Sequence, residues 1–280
     1  MDFTLSQEHQ LIVDSADKIA QKFDRKYWLE CAKHKRFPQE MWNELGSMGY
    51  LGITCPEEYG GAGMGMTELA LLQERLASHG VALLYFVVNQ GIAMPCISKH
   101  GTPEQKQRWL PAMASGEKRC CFAITEPNAG TNTFKIQTLG KLDGGDYVLN
   151  GSKLFISGIN QADHVLVVAR TQSYAEVGQD KKYEGLTLFV VDTKSPGLTF
   201  DPMDTMLQNT EGQYFVYFNN VRVPKENVIG QPGKGLAYLF DALNPERIVV
   251  AAGAVGGGRW CLKRGVEYAN QRVIFDRPIG

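Results

Sequence analysis

The hydrophobic periodicity of this chain changes twice, from helical to β and back, and divides it into three successive stretches. From Ser6 to about Ala114 apolar residues recur at helical spacing, first at Leu11, Ile12, Ile19 and Phe23 and then at Met41, Trp42, Leu45 and Met48. The punctuation agrees. Pro38 suits a first helical turn, Gly49 and Gly80 suit C-terminal caps, and Thr102-Pro103-Glu104-Gln105 has the spacing of a capping box with proline at the first helical position. Near Arg119 the pattern becomes short β-branched and aromatic runs between turn formers: Cys120 to Thr125, Tyr147 to Leu149, Lys153 to Ser157, His164 to Arg170, Leu186 to Asp192 and Gln213 to Val223. Asp143-Gly144-Gly145-Asp146 reads as a hairpin turn, while Tyr214 to Phe218 alternates too weakly to show its buried face. From Gly235 the helical period returns through Ala251, Trp260 and Tyr268, with Asn244-Pro245 either starting a new helix or kinking one. The expectation is an α+β fold: a helical domain over residues 1–118, an antiparallel β domain over 119–232 and the beginning of a second helical domain over 233–280.

Composition narrows the class. A chain of 280 residues, 44% apolar and 21% charged, can bury a sizeable core and has no reason to be disordered or fibrous. With 29 basic against 30 acidic residues no overall field favours nucleic acid or anionic lipid, so binding selectivity must be local. The six cysteines form no C-x-x-C pair and read as reduced core residues of a cytoplasmic protein, which argues against zinc or a disulfide framework. His79, His100 and His164 have no partners at metal spacing and read as structural or exposed. The start of the chain resembles neither a secretory signal nor a transit peptide, so a bacterial cytoplasm is the expected location, a processed mitochondrial form being the alternative. Val81 to Ser98 approaches the roughly 20 residues of a membrane span, but Asn89, Gln90, Gly91 and Pro95 make it a buried core helix, with no span expected. The chain stops at Gly280, just after a long helix whose apolar stripe needs partners, so a fragment or truncated C-terminus is expected.

Three glycine clusters invite a phosphate-loop reading and none supports it. Gly253 to Gly258 lies inside a helical pattern, where close helix packing explains it, and Gly233-Lys234-Gly235 lacks the spacing of a nucleotide loop and reads as the lead-in to the last helix. Gly60 to Gly65 is no better. More informative is Cys121 to Asn132, a strand entering a turn rich in hydroxyls, small residues and exposed backbone that can present donors to a ring or phosphate, or be an ordinary corner. Asn150 to Gly158, where an aromatic and a hydroxyl follow a tight turn, reads by itself as a hairpin.

Taken together, Phe122 to Thr131, Asn150 to Ser157, Asn244 to Arg247 and Tyr268 to Phe275 resemble, in order and spacing, the acyl-CoA dehydrogenase family, over Leu5 to the chain end. That family's architecture is also helices, strands, helices. The resemblance implies FAD as cofactor, with the first motif along the isoalloxazine at Phe122, Ile124 and Thr125 and the wall continued by Gly130 and Thr131. Thr131 stands where the family commonly has Ser and would also touch the CoA portion, keeping the hydroxyl. Phe155 replaces a frequent Trp against the flavin, with Ile156 and Ser157 completing the contact. Arg272 and Phe275 match residues that reach the FAD diphosphate of a neighbouring subunit, which implies a homo-oligomer, a dimer or tetramer. Asp276 stands where Gly usually follows that Phe, a departure that would weaken the contact.

The implied reaction is dehydrogenation of an acyl-CoA to a trans-2-enoyl-CoA, with electrons passed to an electron-transfer flavoprotein. It needs a carboxylate to take the α proton. Glu246, immediately before Arg247, matches the base position of isovaleryl-CoA dehydrogenase and its relatives; the family's other position lies beyond this chain's end. The plain alternative for Glu246 is an acidic residue in a first helical turn. Asn244 and Arg247 would lie near the acyl-CoA, or Arg247 would pair on the surface with Glu246 or Asp241. An oxidase or an enoyl-CoA reductase of the same superfamily, and a flavin- and CoA-binding subunit without catalysis, are the competing readings.

Overall fold

The computed structural model describes residues 4–81, 83–206 and 210–280. Helices α1 (Gln7–Lys22), α2 (Arg25–Lys33), α3 (Gln39–Ser47) and α4 (Met66–Ala77) pack their apolar stripes together, joining Ile12, Ile19, Met41, Trp42, Leu45 and Leu72 in one core. Ser6 caps α1 and Asp24 caps α2, each accepting the backbone N–H three residues on. Gly49 and Gly80 take the left-handed conformations expected of caps, at φ 77° and 81°. Phe86–Ala93 is wound as a π-helix and runs into α5 (Met94–His100), and α6 (Pro103–Ser115) begins with the Thr102/Gln105 capping box. Five cysteines are buried, but Cys261 is exposed, contrary to the expectation of a core residue.

The middle of the chain is an eight-stranded sheet: β1 (Cys120–Ala123), β2 (Leu139–Asp143), β3 (Asp146–Ser157), β4 (His164–Arg170), β5 (Leu186–Asp192), β6 (Leu198–Met203), β7 (Gln213–Pro224) and β8 (Val228–Ile229). The order is β6-β7-β3-β2-β4-β5-β8, with β1 beside β4. Most pairs are antiparallel, but β1 runs parallel to β4, so the sheet is mixed. The β2–β3 hairpin turns where expected, Asp143 facing Asp146. The two runs around Asn150-Gly151 are one strand rather than a hairpin. The register slips there, and Gly151, at φ 148°, passes so close to Thr138 that an added Cβ would lie 2.6 Å from its Oγ1. On β7, Val216 and Phe218 face the core while Phe215 and Tyr217 are exposed.

The short α7 (Tyr174–Val177) interrupts the β4–β5 connection, and the sheet is followed by α8 (Gly235–Gln271), one 37-residue helix. Asn244-Pro245 does not start a new helix. Pro245 sits inside α8 and costs it one backbone donor, so Glu246 lies well past the first turn. α8 crosses α4 at Gly256, where a Cβ would lie 2.1 Å from the Glu74 carbonyl oxygen, whereas nothing lies within 4 Å of one on Gly257. Further along, Leu262, Val266 and Tyr268 are exposed, and the strands β9 (Val273–Ile274) and β10 (Arg277–Pro278) pair as a small hairpin. Among the described residues no helix is long and apolar enough to cross a membrane.

The two adjacent glycines should therefore respond oppositely to a methyl group. In denaturant unfolding, Gly256→Ala is expected to lose about 2 kcal/mol by overpacking, and Gly257→Ala to gain about 0.5–1 kcal/mol by restricting the unfolded chain. Equal effects would remove the close crossing as the reason for Gly256.

Candidate functional site

The first two motifs form one wall, joined behind its surface. The Leu154 N–H donates to the Thr125 carbonyl at 3.0 Å, bringing β3 against the chain leaving β1. The Lys153 ammonium, 1% exposed, donates to the Ile124 carbonyl at 2.9 Å and to the Glu126 carboxylate at 2.8 Å. Glu126 also accepts from the backbone N–H groups of Gln137 and Thr138, and its own backbone exchanges two hydrogen bonds with Ala129 to close the turn. Burial by itself raises the Glu126 carboxyl; the Lys153 charge and these hydrogen bonds outweigh it and hold the group below its ordinary value. Burial draws Lys153 down to about 8, with Glu126 opposing.

In front of that pair, the register slips again between Lys153 and Ile156, and Phe155 is held at φ 58° with its ring 58% exposed. A left-handed phenylalanine is strained, and a bulge is the device that turns one strand residue outward. Ile124 and Thr125 are half-buried beside it, and Gly130 and Thr131 are exposed. Phe122 and Ile156 direct their side chains into the cores, so they present backbone rather than side chain on this wall. Ser157, half-buried, is hydrogen-bonded to Gln213 at 2.8 Å.

Glu246 faces the π-helix. A Cβ on Gly91 would lie 3.4 Å from the Glu246 Cα and 3.6 Å from Val249, so α8 packs against the π-helix here at ordinary van der Waals distance. One turn before Glu246, Ala242 and Leu243 pack in the core that holds Phe122, Ile124 and Val88; one turn after it, Val249 packs in the helical core, which Val88 also touches. Glu246 thus emerges where the two cores meet. Burial raises its carboxyl above the ordinary glutamate value, partly opposed by Arg247. Arg247 donates to Asn244 Oδ1 at 2.6 Å, and Asp241 is engaged by Lys99 and His100, so neither surface ion pair considered for Arg247 is the arrangement present.

A cavity of about 700 Å³ opens at the start of α8, between Tyr183, Lys234, Leu236 and Phe240. Leu236 and Phe240 line it, and Asn244 and Arg247 follow them at helical spacing on the same face of α8, beyond the cavity's lining. Arg272 and Phe275 lie at the far end of α8, Phe275 being 92% exposed in the β9–β10 turn. His79 pairs with Asp17 at 2.8 Å and His100 with Asp241 at 2.9 Å, while burial lowers His164.

The sequence reading named the surface of this wall and missed its support. Glu126 and Lys153 stand inside the Phe122 to Thr131 and Asn150 to Ser157 motifs, and the signal is a lysine in an apolar β run. Its partner, 27 residues away, cannot be read from one sequence. Gly91 was noticed only as a residue unsuited to a membrane span.

Comparison with known proteins fits this geometry. The N-terminal, middle and C-terminal domain models of acyl-CoA dehydrogenases match residues 6–117, 121–221 and 233–280. The acyl-CoA dehydrogenase FadE12 of Mycobacterium tuberculosis is 42% identical over 278 residues, 99% of this chain and 70% of that protein. Butyryl-CoA dehydrogenase from Megasphaera elsdenii superposes with a TM-score of 0.90 at 33% identity, covering 100% of this chain and 73% of the other. A chain of a structure described as the electron transferring flavoprotein of Acidaminococcus fermentans superposes equally, with a TM-score of 0.90 at 33% identity over 100% of this chain and 72% of that one. The chain belongs to the acyl-CoA dehydrogenase family, whose members are flavoproteins that bind FAD. Its class is that of an FAD-dependent oxidoreductase acting on acyl-CoA.

If Lys153 supports the wall, removing its charge alone should be costly. Lys153→Met leaves Glu126 buried without its counter-charge and is expected to lower unfolding free energy by about 3–5 kcal/mol, while the double variant with Glu126→Leu recovers much of it. Urea titrations of the two variants check this; equal losses would mean the pair is not coupled.

Proposed function

We propose that this chain catalyses α,β-dehydrogenation of an acyl-CoA to a trans-2-enoyl-CoA, with Glu246 as the base and FAD along the Phe155 wall. The observation that carries the reading is the half-buried Glu246, raised by desolvation, on the α8 face beside the π-helix and the Ile124 core. The fit of a flavin rests on the strained, outward Phe155 ring flanked by the Thr125 hydroxyl and by open backbone at Gly130. Ile124, Thr125, Gly130, Thr131, Phe155 and Ser157 would hold it, with Phe122 and Ile156 contributing backbone. Bound FAD supplies the acceptor for the hydride that leaves the substrate's β carbon.

The chain's own work is to hold and move the α proton. Desolvation makes the Glu246 carboxylate a stronger base than a free glutamate, and the apolar residues on either side of it exclude water from the proton's path. Asn244 and Arg247, exposed on the same helix face, orient the thioester's CoA arm, which then runs along Phe240 and Leu236 into the cavity. Lys234 offers a cation there and Tyr183 a ring, both suited to the nucleotide end. Arg272 and Phe275, displayed at the exposed end of α8, serve the flavin diphosphate of a second copy, so the working form is a homo-oligomer, a dimer or tetramer. Electrons leave to an electron-transfer flavoprotein.

Two outcomes test this. Glu246→Gln should retain flavin but slow anaerobic bleaching by acyl-CoA by about 10²–10⁴-fold; bleaching at the wild-type rate would end the assignment. Because the Glu246 carboxyl is raised and must be ionised to act, kcat/KM should climb with pH along a limb lying above the ordinary glutamate value of about 4.3, and that limb should vanish in the variant.

A further inference from the structure

The cavity at the start of α8 is lined by Tyr183, on a loop that one buried residue holds from behind. Arg170 ends β4, is 1% exposed, and has five carbonyl oxygens within hydrogen-bond reach of its guanidinium. Its Nε donates to Ile136 at 3.0 Å and its Nη2 to Phe134 at 2.7 Å, both on the connection that leaves the Thr131 turn. Its Nη2 also donates to Lys182 at 2.9 Å and its Nη1 to Glu184 at 2.9 Å, with Gln172 at 3.5 Å. Lys182 and Glu184 flank Tyr183, whose ring is 49% exposed on the cavity. The end of the same loop is tied to the cavity's other rim, since Gly185 N–H donates to the Gly233 carbonyl at 3.0 Å.

We propose that Arg170 is a positioning residue for the nucleotide end of CoA: it clamps the backbone on both sides of Tyr183 to the turn below the flavin wall and so fixes the ring as one side of the cavity. A guanidinium suits this because its planar fork presents five donors in fixed directions, while a lysine ammonium offers three on a flexible stem. The clamp is directional rather than ionic. Its hydrogen bonds go to backbone carbonyls, which hold the loop's path, and the guanidinium also lies over the Tyr174 ring of the same loop, 5.4 Å from its centroid. The proposal rests on the reading that this cavity receives the CoA nucleotide.

The test is calorimetric binding of CoA and of pantetheine, which lacks the nucleotide, to the purified chain and two variants. Wild type should prefer CoA. Arg170→Lys should narrow the CoA-to-pantetheine affinity ratio by about tenfold while leaving pantetheine affinity within about threefold, as expected for a displaced binding wall. Tyr183→Ala, which keeps the guanidinium and its carbonyls, should narrow the ratio likewise. A ratio unchanged in Arg170→Lys but reduced in Tyr183→Ala overturns the role of Arg170. A wild type that does not distinguish the two ligands overturns instead the placement of the nucleotide, and the proposal with it. Should Arg170→Lys lose its cooperative melt, Tyr183→Ala decides, an unchanged ratio there ending the proposal.

Discussion

An ammonium group removed from water must find its solvation inside the protein, and at Lys153 that solvation is the Ile124 carbonyl and the Glu126 carboxylate. Glu126 in turn gathers the N–H groups of Gln137 and Thr138, so one ion pair holds the exit of β1, the turn after it, the approach to β2 and the middle of β3. Ala129 and Ile136 on the same segments are buried in the neighbouring core, so apolar packing and the ion pair act together, and burying both charges offsets much of their mutual attraction. With the backbone so fixed, the β3 bulge can keep Phe155 in a left-handed conformation facing outward.

The second constraint is an approach of two helices with nothing between them. Gly256 lets α8 come to α4, and about three turns earlier α8 packs at van der Waals distance on Gly91 of the π-helix at Glu246, so it is seated on two neighbours. Between them its face changes partner, from the core containing Ile124 to the core containing Phe86. A π-wound segment carries an extra residue per turn, and such widened turns occur often at functional sites. Here it places Asn89, whose Oδ1 accepts from the Cys120 N–H, so the same segment anchors β1 and faces the candidate base.

These two constraints explain what was legible in the sequence and what was not. The order of helices and strands, the Thr102 capping box, the Asp143 turn and the interior place of Gly253 to Gly258 rest on local rules, and local rules hold where neighbours in sequence are neighbours in space. The division of β3 at Gly151 failed because glycine, read as a turn former, serves there to let Thr138 pass close. β2 and β6 escaped because they are short and mostly exposed, with little apolar alternation to mark them. Of the two readings of Asn244-Pro245, a helix start is not what occurs: Pro245 lies inside α8, where tertiary packing on both sides outweighs one lost hydrogen bond. At the site, surface residues were legible through motif resemblance, whereas Lys153 with Glu126, Arg170 with its carbonyls and Gly91 with Glu246 are pairings between distant stretches, which periodicity does not encode.

Backbone strain separates the two ends of the proposed flavin site. Phe155 at φ 58° is overdetermined: Leu154 before it is bonded to Thr125, and Ile156 after it is buried in the sheet's core. Phe275 and Asp276, at φ 53° and 61°, form a turn between strands of two residues each, and the Ile279 and Gly280 N–H groups tie the tail back to the carbonyls of Arg272 and Ala269. Two consecutive left-handed residues match a type I′ hairpin turn, in which glycine is unstrained and aspartate costs less than most side chains. The residue that differs from the family's usual glycine is therefore the one that tolerates this conformation through its short polar side chain. The hairpin has little side-chain packing of its own, Phe275 being almost fully exposed, so its shape rests on the turn and on these backbone hydrogen bonds. A wall built into the sheet and an exposed hairpin at the end of α8 are the two parts that the proposed oligomer would bring together from different copies.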